Sequence, residues 1–566
     1  MNKTLPILLG LGLCCCSTPQ LLAQEAPILP DTLPLPEPPP DEPPPTLPPT
    51  APLEINPFRL PSGLDPRLDQ SMTLTPIQFI FEGNTVFTDE ELRAEVAEFI
   101  GQPLTIADLL KIEEKITQRY VGEGYINSGA NIALSEEIDP SNAEITIEII
   151  EGRVTNIEIQ GADRLEGYIR AKVEPATESV LREQDIQEAL RWLQVDPLIT
   201  GLNAQLTPGA VVSQATLTLD VNPTKPFSLE VFANNNRAPS VGTFERGATA
   251  TYRNVTGLGD IVDLTFRDTD GSNLVSINYA APINIKNGTV GISFTYGDNK
   301  IVEEPFNLID LNINAFQLEA SFRQPIFRKI SGSQIQELAL GVSLSRLESD
   351  ELLFDIPFPL TEGADNEGRT NSTVLRLTQE WSNRDRNGLI ALRSQFNIGL
   401  PISASNADLF GDGTFFAWRG QVLQAHQFSK FTWVNRGGVQ LADGPVIPSE
   451  QFSLGGVSTV RGYRQDGLTR DSGLFLSSEL RVPLFSGSAG TLQIVPFFDV
   501  GHGFNQGQRF LPNPSQTLAS VGLGLRYDLS DRISARIDFG IPLLNRPDRR
   551  PSPQEEGLYL SITGRL

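Results

Sequence analysis

From residue 227 to residue 566, apolar and polar positions alternate with a period of two, in segments about ten residues long. Sixteen such segments can be read, near 227–234, 246–254, 259–267, 272–280, 288–296, 313–323, 335–346, 371–381, 388–399, 414–424, 430–441, 472–482, 491–501, 516–527, 532–541 and 557–566. Segments of this length suit strands tilted across a membrane, and an even number suits a closed antiparallel barrel. The gaps carry a second pattern. With the first segment taken as rising from the inner side, short turns follow even-numbered segments, at 257–260, 286–288, 385–388, 486–488 and 529–531. Long polar gaps follow several odd-numbered ones, at 298–310, 348–370, 402–413, 442–471 and 545–556. A soluble sandwich has no reason to sort its loops by length, whereas a membrane barrel has short turns on one side and long loops on the other. In the last segment Leu558, Leu560, Ile562 and Leu566 point one way while Tyr559, Ser561, Thr563 and Arg565 point the other, which predicts a lipid face and a lumenal face.

Upstream of this region the pattern changes. Residues 77–81 read as a strand ended by Glu82-Gly83-Asn84, and Thr88 followed by Asp89, Glu90 and Glu91 reads as an N-cap and acidic first turn opening a helix through Ile100. A second helix starts at Thr105, places Ile106, Leu109, Leu110, Ile112, Ile116 and Tyr120 near one face, and stops at residues 122–125. Strands at 130–136 and 143–150 complete a β-α-α-β-β unit. The order then repeats: a strand at 154–159, a turn at Gly161-Ala162, helices at 165–173 and 183–195, and strands near 202–206 and 215–221. A period of about 75 residues with the same element order predicts an internal duplication. The predicted fold is therefore two α+β modules, residues 74–151 and 152–222, followed by an all-β barrel over 227–566.

The N-terminal residues read differently again. Lys3, an apolar stretch over 5–16 and small residues near Ala23 predict a secretory signal peptide over 1–23. All three cysteines, Cys14, Cys15 and Cys16, fall inside it, so the remaining chain is expected to use neither disulfides nor thiolate metal sites. Residues 24–70 are dominated by proline and predict an extended polyproline II tether, reaching on the order of 100 Å at about 3.1 Å per residue. Mean hydropathy is −0.14, and past the first few dozen residues no run approaches the roughly 18 apolar residues of a spanning helix. A barrel wall is compatible with both facts because only alternate residues face lipid. The formal net charge of −25 argues against a nucleic-acid partner. His426 and His502 are too far apart in sequence to predict a zinc site, no G-x-S-x-G or metal-ligand spacing occurs, and neither an enzyme nor a cofactor is expected.

One stretch stands out as chemistry rather than wall. Residues 451–464 read QFSLGGVSTVRGYR, with Gly455-Gly456 and then Val460-Arg461-Gly462-Tyr463 placing one permanent cation and one aromatic on a tight bend. By the strand count this is the sixth long-side loop, between the eleventh and twelfth strands. On the thirteenth, Leu492, Ile494, Phe498 and Val500 share the outward face, so Gln493, Phe497 and Asp499 face the lumen. A lumenal carboxylate and a loop arginine predict a charge-assisted, bidentate contact if the loop folds back inside. Leaving Arg461 buried without a partner would cost several kcal/mol.

The doubled module, the sixteen-stranded barrel, VRGY in the sixth loop and F-x-D on the thirteenth strand together resemble the two-partner secretion transporters of the haemolysin-activator type, over roughly residues 74–566. In that family the periplasmic modules are POTRA (polypeptide-transport-associated) domains. The resemblance implies a cell outer-membrane pore that exports one large, β-helical secreted partner without ATP hydrolysis. The partner would bind the POTRA domains in extended form. Arg461 would be the tip residue, Asp499 its lumenal partner, and the barrel itself would depend on membrane lipid and on the barrel-assembly machinery for insertion. Two departures are visible: residues 53–70, where relatives carry a plug helix, are interrupted by Pro57, Pro61 and Pro66, and the chain ends in Leu566 where such barrels commonly end in an aromatic. An assembly factor that inserts other barrels is the nearest alternative, but such factors carry more modules, three or five. A passive porin needs neither the tether nor the duplication.

Overall fold

The computed structural model describes residues 53–56, 73–132, 134, 143–359, 364–402, 413–506, 515–530, 532–544 and 552–566. The signal peptide, most of the tether and most of the segment compared with a plug helix lie outside the described residues. The chain divides into two compact units, one carrying the α+β modules and one the barrel.

In the first module, β2 (Pro76–Glu82) runs parallel to β4 (Ala143–Ile150), and β3 (Gly129–Ile132) pairs antiparallel with β4. The sheet order is β2-β4-β3, so among the described residues β3 is an edge. Helices α1 (Asp89–Val96) and α2 (Ile106–Gly122) cover one face, each started by a capping box, Thr88 with Glu91 and Thr105 with Asp108. Phe79, Leu92, Ile112, Ile116, Ile145 and Ile147 fill the core between helix and sheet. The first helix stops short of the expected Ile100, tightening into a 3-10 turn over Ala97–Phe99. Leu110, expected on the core face, is instead 42% exposed. It sits about 100° around the helix from the core stripe and belongs with Glu114, Thr117 and Val121 to a flanking stripe that borders β3.

Behind this core, Glu151 ties the turn between strand and helix together. It accepts from the amides of Thr85 at 2.7 Å and Val86 at 2.8 Å, from the Thr85 hydroxyl, and from Tyr120 Oη at 3.1 Å. Burial pushes its pKa up, but these hydrogen bonds outweigh burial and hold the carboxyl below its ordinary value.

The second module repeats the topology. β5 (Arg153–Gln160) is parallel to β7 (Gln214–Pro223), β6 (Ile199–Pro208) is antiparallel to β7, and α3 (Glu166–Val173) and α4 (Glu183–Gln194) pack on the sheet. The duplication reaches atomic detail at the strand exits. A Cβ on Gly83 would lie 2.6 Å from Ile149 O, and one on Gly161 would lie 2.4 Å from Val221 O; both glycines have positive φ. The modules differ at one edge. β1 (Leu53–Ile55), inside the stretch expected to be a plain polyproline spacer, runs parallel to β6 and extends that sheet to β1-β6-β7-β5.

The second unit is a closed antiparallel barrel of sixteen strands. They are β8 (Phe227–Asn234), β9 (Glu245–Arg253), β10 (Ile261–Asp268), β11 (Ser272–Pro282), β12 (Thr289–Lys300), β13 (Leu311–Ser331), β14 (Gln334–Leu353), β15 (Arg369–Arg384), β16 (Gly388–Leu400), β17 (Phe415–Phe428) and β18 (Phe431–Ala442). After a loop hairpin of β19 (Phe452–Leu454) and β20 (Leu468–Arg470) follow β21 (Ser472–Gly487), β22 (Gly490–Phe504), β23 (Ser515–Ser530), β24 (Ile533–Pro542) and β25 (Leu558–Arg565). The sixteen barrel strands coincide with the sixteen alternating segments. Leu340, Val342 and Leu344 on one strand and Ile537, Phe539 and Ile541 on another are exposed outward, as a lipid-facing wall requires. β8 closes on β25 through Glu230↔Arg565 to Asn234↔Ser561.

Several strands run beyond the expected ten residues; β13 spans 21. β13 adds most of its length at the short-turn end, over 324–331, in ladder with β14. On the long-loop side, the extension of β12 and β14 goes with an inversion of polarity above the lipid belt. Leu318 and Phe322 of β13 point out, but Leu311, Ile313 and Ala315 near its other end are buried on the lumenal side, in part against Val241 and Ile301. The hydrogen-bonded ladder continues where lipid stops, so the expected loops at 298–310 and 348–370 begin later than the alternation indicates.

Candidate functional site

The loop between the eleventh and twelfth barrel strands, residues 443–471, is built as a hairpin that folds into the lumen. Its stem pairs Phe452↔Arg470, Ser453↔Thr469 and Leu454↔Leu468. Phe452, Leu454, Val460, Tyr463 and Leu468 form a small apolar cluster with Leu518 of the barrel wall, so the loop has a core of its own against the strands. Gly455 and Gly456 both have positive φ, and a Cβ on Gly455 would lie 2.4 Å from Arg464 O. The glycine pair is thus what lets the bend close on itself; Gly455 N donates to Thr459 Oγ1 at 2.9 Å and Gly456 N to Tyr463 O at 3.0 Å.

Arg461 sits at the end of that bend, and among the described residues it is the largest fully buried side chain. Its Nε and Nη2 donate to Asp499 Oδ2 and Oδ1 at 2.8 and 2.9 Å, a bidentate contact, and its own amide donates to the same carboxylate at 3.1 Å. The guanidinium lies 3.5 Å from the centroid of the Phe497 ring, so both members of F-x-D contact it. The sequence reading brought Arg461, Phe497 and Asp499 to one place, and the structure puts them in contact.

It missed the rest of the nest. Arg461 Nη1 donates to Glu479 Oε2 at 3.1 Å and lies 3.8 Å from Asp538, while Nη2 donates to Ser477 Oγ at 3.2 Å. Arg536 donates to Glu479 at 2.8 Å and to Asp538 at 2.6 Å, and Arg481 donates to Glu479 at 2.8 Å. Three guanidiniums and three carboxylates therefore share one buried patch. Charges taken out of water are tolerated only when paired and hydrogen-bonded in this way. The signal for these partners is alternation: Ser477, Glu479 and Arg481, and likewise Arg536 and Asp538, are lumenal polar positions on strands whose other residues face lipid.

Backbone approach fixes the loop as firmly as charge. Gly462 has positive φ, and a Cβ on Gly540 of β24 would lie 2.6 Å from Gly462 N, so two glycines let loop and wall touch main chain to main chain. Gly462 N donates to Tyr559 Oη at 3.0 Å, and that hydroxyl donates to Tyr463 O. The Tyr463 hydroxyl reaches Ala519 O at 2.9 Å and Leu544 O at 2.8 Å. A last contact lies outside the motif: Arg464 clasps Glu303, in the loop after β12, at 3.0 and 2.6 Å. These partners are 161 residues apart, and no local signal marks them.

The arrangement holds a loop across the lumen by buried ion pairs and backbone contacts, with no cluster of metal-ligating residues among the described residues. Known proteins resemble the chain over most of its length. Residues 74–152 match the model described as "POTRA domain, ShlB-type". The chain is 26% identical over 489 residues to the outer membrane transporter CdiB of Escherichia coli O6:K15:H31 (strain 536 / UPEC), covering 83% of this chain and 79% of the relative. It is 23% identical over 506 residues to the heme/hemopexin transporter protein HuxB of Haemophilus influenzae (strain 86-028NP), covering 85% of each. Among solved structures, CdiB from Escherichia coli matches with a TM-score of 0.64 at 21% identity, over 89% of this chain and 92% of that one. BamA from Haemophilus ducreyi lacking POTRA domains 1-3 matches with a TM-score of 0.52 at 15% identity, over 87% of this chain and 100% of that one, a likeness of fold alone. Residues 213–527, more than half of the sequence, match the model described as "Haemolysin secretion/activation protein ShlB/FhaC/HecB", and the chain belongs to that family.

Proposed function

We propose that this chain exports one large secreted partner through its barrel, with residues 460–463 acting as a lumenal latch. The protein sits in the outer membrane with its modules in the periplasm. The observation that carries the reading is Arg461: a fully buried loop cation on Asp499 and Glu479 makes the lumen a closed but reversible passage, because ionic partners can be replaced by those of a passing chain. In this reading Val460, Gly455 and Gly456 shape the bend, Gly462 and Tyr463 dock it, and Phe497 and Asp499 receive it.

The domains are assigned as a signal peptide over 1–23, a proline-rich tether over 24–70, POTRA modules over 74–151 and 152–222, and the barrel over 227–566. The passenger is a large, β-helical protein that arrives extended and folds outside, so no catalytic step is required. Its first contact is the open edge of β3. There a groove of about 260 Å³ between α2 and β3 is lined by Leu110, Glu114, Thr117, Val121 and Ile126. Leu110 and Val121 are 42% and 45% exposed, apolar surface beside a sheet edge on which the Ala130 amide donates to Thr117 Oγ1 at 3.1 Å, a bond that an extended chain adding as a strand would replace. The barrel depends on outer-membrane lipid and on the barrel-assembly machinery for its own insertion.

Assembly of other barrels is the competing reading, and the two modules, against the three or five that such factors carry, favour export. The β8–β25 seam, paired over five residues and flanked by Leu566 N donating to Leu229 O at 2.9 Å and by Arg565 donating to Glu230 at 2.9 Å, closes the wall in either reading. Comparing culture medium and outer membranes of cells with and without this protein decides between them. Export predicts the loss of one large protein from the medium with other barrels unchanged; depletion of many barrels would overturn it.

A further inference from the structure

The two modules share one topology but not one edge. In the first, β3 has no strand on its outer side among the described residues; in the second, the equivalent strand β6 is covered by β1. The register is Leu53↔Ala204, Glu54↔Gln205 and Ile55↔Leu206, and Asn56 N donates to Leu206 O at 3.0 Å. Leu53 and Ile55 are half-buried, Glu54 is exposed, and Leu53 packs on the module's core. An alternating apolar-polar-apolar strand added to a sheet edge is the form in which an extended passenger would dock. We infer that Leu53–Ile55 is a built-in competitor, holding the second module's docking edge until an extended passenger segment with apolar residues at alternate positions displaces it. The inference rests on the export reading of the modules given above.

Its geometry favours displacement. β6 is ten residues long, and β1 covers only Ala204, Gln205 and Leu206. Three register pairs and the Asn56 amide are what hold β1 among the described residues, so a longer incoming strand gains more ladder than β1 gives up. The competitor stays at high local concentration because it is tethered to the same chain. The open edge of β3 then takes the passenger first, and the second module takes it only after exchange.

The test uses the full chain in lipid nanodiscs and, as probe, a fluorescent peptide of residues 51–58, APLEINPF. A segment docked for about nine-tenths of the time weakens a competing strand about tenfold. Leu53→Asp combined with Ile55→Asp should therefore bind the peptide about tenfold more tightly than the unmodified chain; equal affinities would overturn the inference. A second variant, Glu54→Cys with Gln205→Cys, joins two exposed register partners in a chain whose other cysteines all lie at 14–16. The disulfide should form in the periplasm, lower peptide binding and block export until reduced. Failure to cross-link, or export at the unmodified rate with the cross-link complete, would overturn the inference. Export in the reduced form reports separately on the transport reading, which fails only if removing the whole protein leaves export intact.

Discussion

Residues 451–464 and Leu53–Ile55 are both folded back onto surfaces that an extended passenger would use, yet they are held by different physics. The barrel loop is fixed by buried charge: Arg461 with Asp499 and Glu479, an aromatic face beneath it, and a glycine-to-glycine backbone approach at Gly462 and Gly540. The linker strand is fixed by three residues of parallel ladder and one packed leucine, with its middle side chain in water. Buried ion pairs are specific and costly to break singly, whereas a short edge ladder has little sequence demand and yields to any strand of similar pattern. In the proposed export reading, the contrast gives tight gating to the pore and ready exchange to the periplasmic edge.

The strongest way to break the comparison is at the cation. Arg461→Ala leaves Asp499 and Glu479 without a central partner and should destabilise loop docking by about 3–5 kcal/mol. Export of the passenger should fall sharply while barrel insertion, read from heat-modifiable migration, stays intact; normal export would remove the latch from the proposal. Reversing the pair, Arg461→Asp with Asp499→Arg, should recover more than either single change but remain well short of the parent. The new aspartate would face Glu479, and the new arginine could not accept from the residue 461 amide.

A smaller effect is expected at the loop's outer clasp. Arg464→Ala removes the two charge-assisted bonds to Glu303 and should cost about 1.5–3 kcal/mol of loop ordering. Channel recordings should show more frequent opening with export largely preserved, because Arg461 still holds the lumenal end; loss of export equal to that of Arg461→Ala would erase the distinction between the two anchors.

The smallest effect concerns the periplasmic unit and pH. Glu151 is held below its ordinary value of 4.5, so its contribution to the first module is present above that value in the folded protein and is lost as pH falls through the lowered one. Amide protection at Thr85 and Val86, measured by hydrogen exchange, should decline in acid below about pH 4.5 in the parent and be low and flatter across that range in Glu151→Gln.

Much of this architecture was legible because lipid imposes a strict code. Residues facing it must be apolar, their neighbours need not be, and sixteen strands follow from that alternation alone. The same parity placed Phe497 and Asp499 in the lumen, and a permanent cation on a glycine bend had few places to go. The duplicated modules were legible for a different reason, the recurrence of strand, glycine, two helices and two strands. Leu110 was misread because helical periodicity does not separate a core stripe from the groove stripe beside it, and the end of the first helix because a tightening to a 3-10 turn leaves the apolar spacing nearly unchanged.

What the sequence determined by itself is everything with a local cause: the period of each element, the face each side chain takes, and the glycines that permit a tight bend. What the tertiary structure decided is everything that depends on closure and register. Glu479, Asp538, Tyr559 and Gly540 meet the loop only because the barrel wall curves to bring β21, β24 and β25 around one point. Arg464 finds Glu303 for the same reason, across 161 residues. Leu53–Ile55 is the clearest case: in a proline-rich stretch those three residues have no reason to be a strand, and they become one only because β6 offers unpaired backbone at the sheet edge.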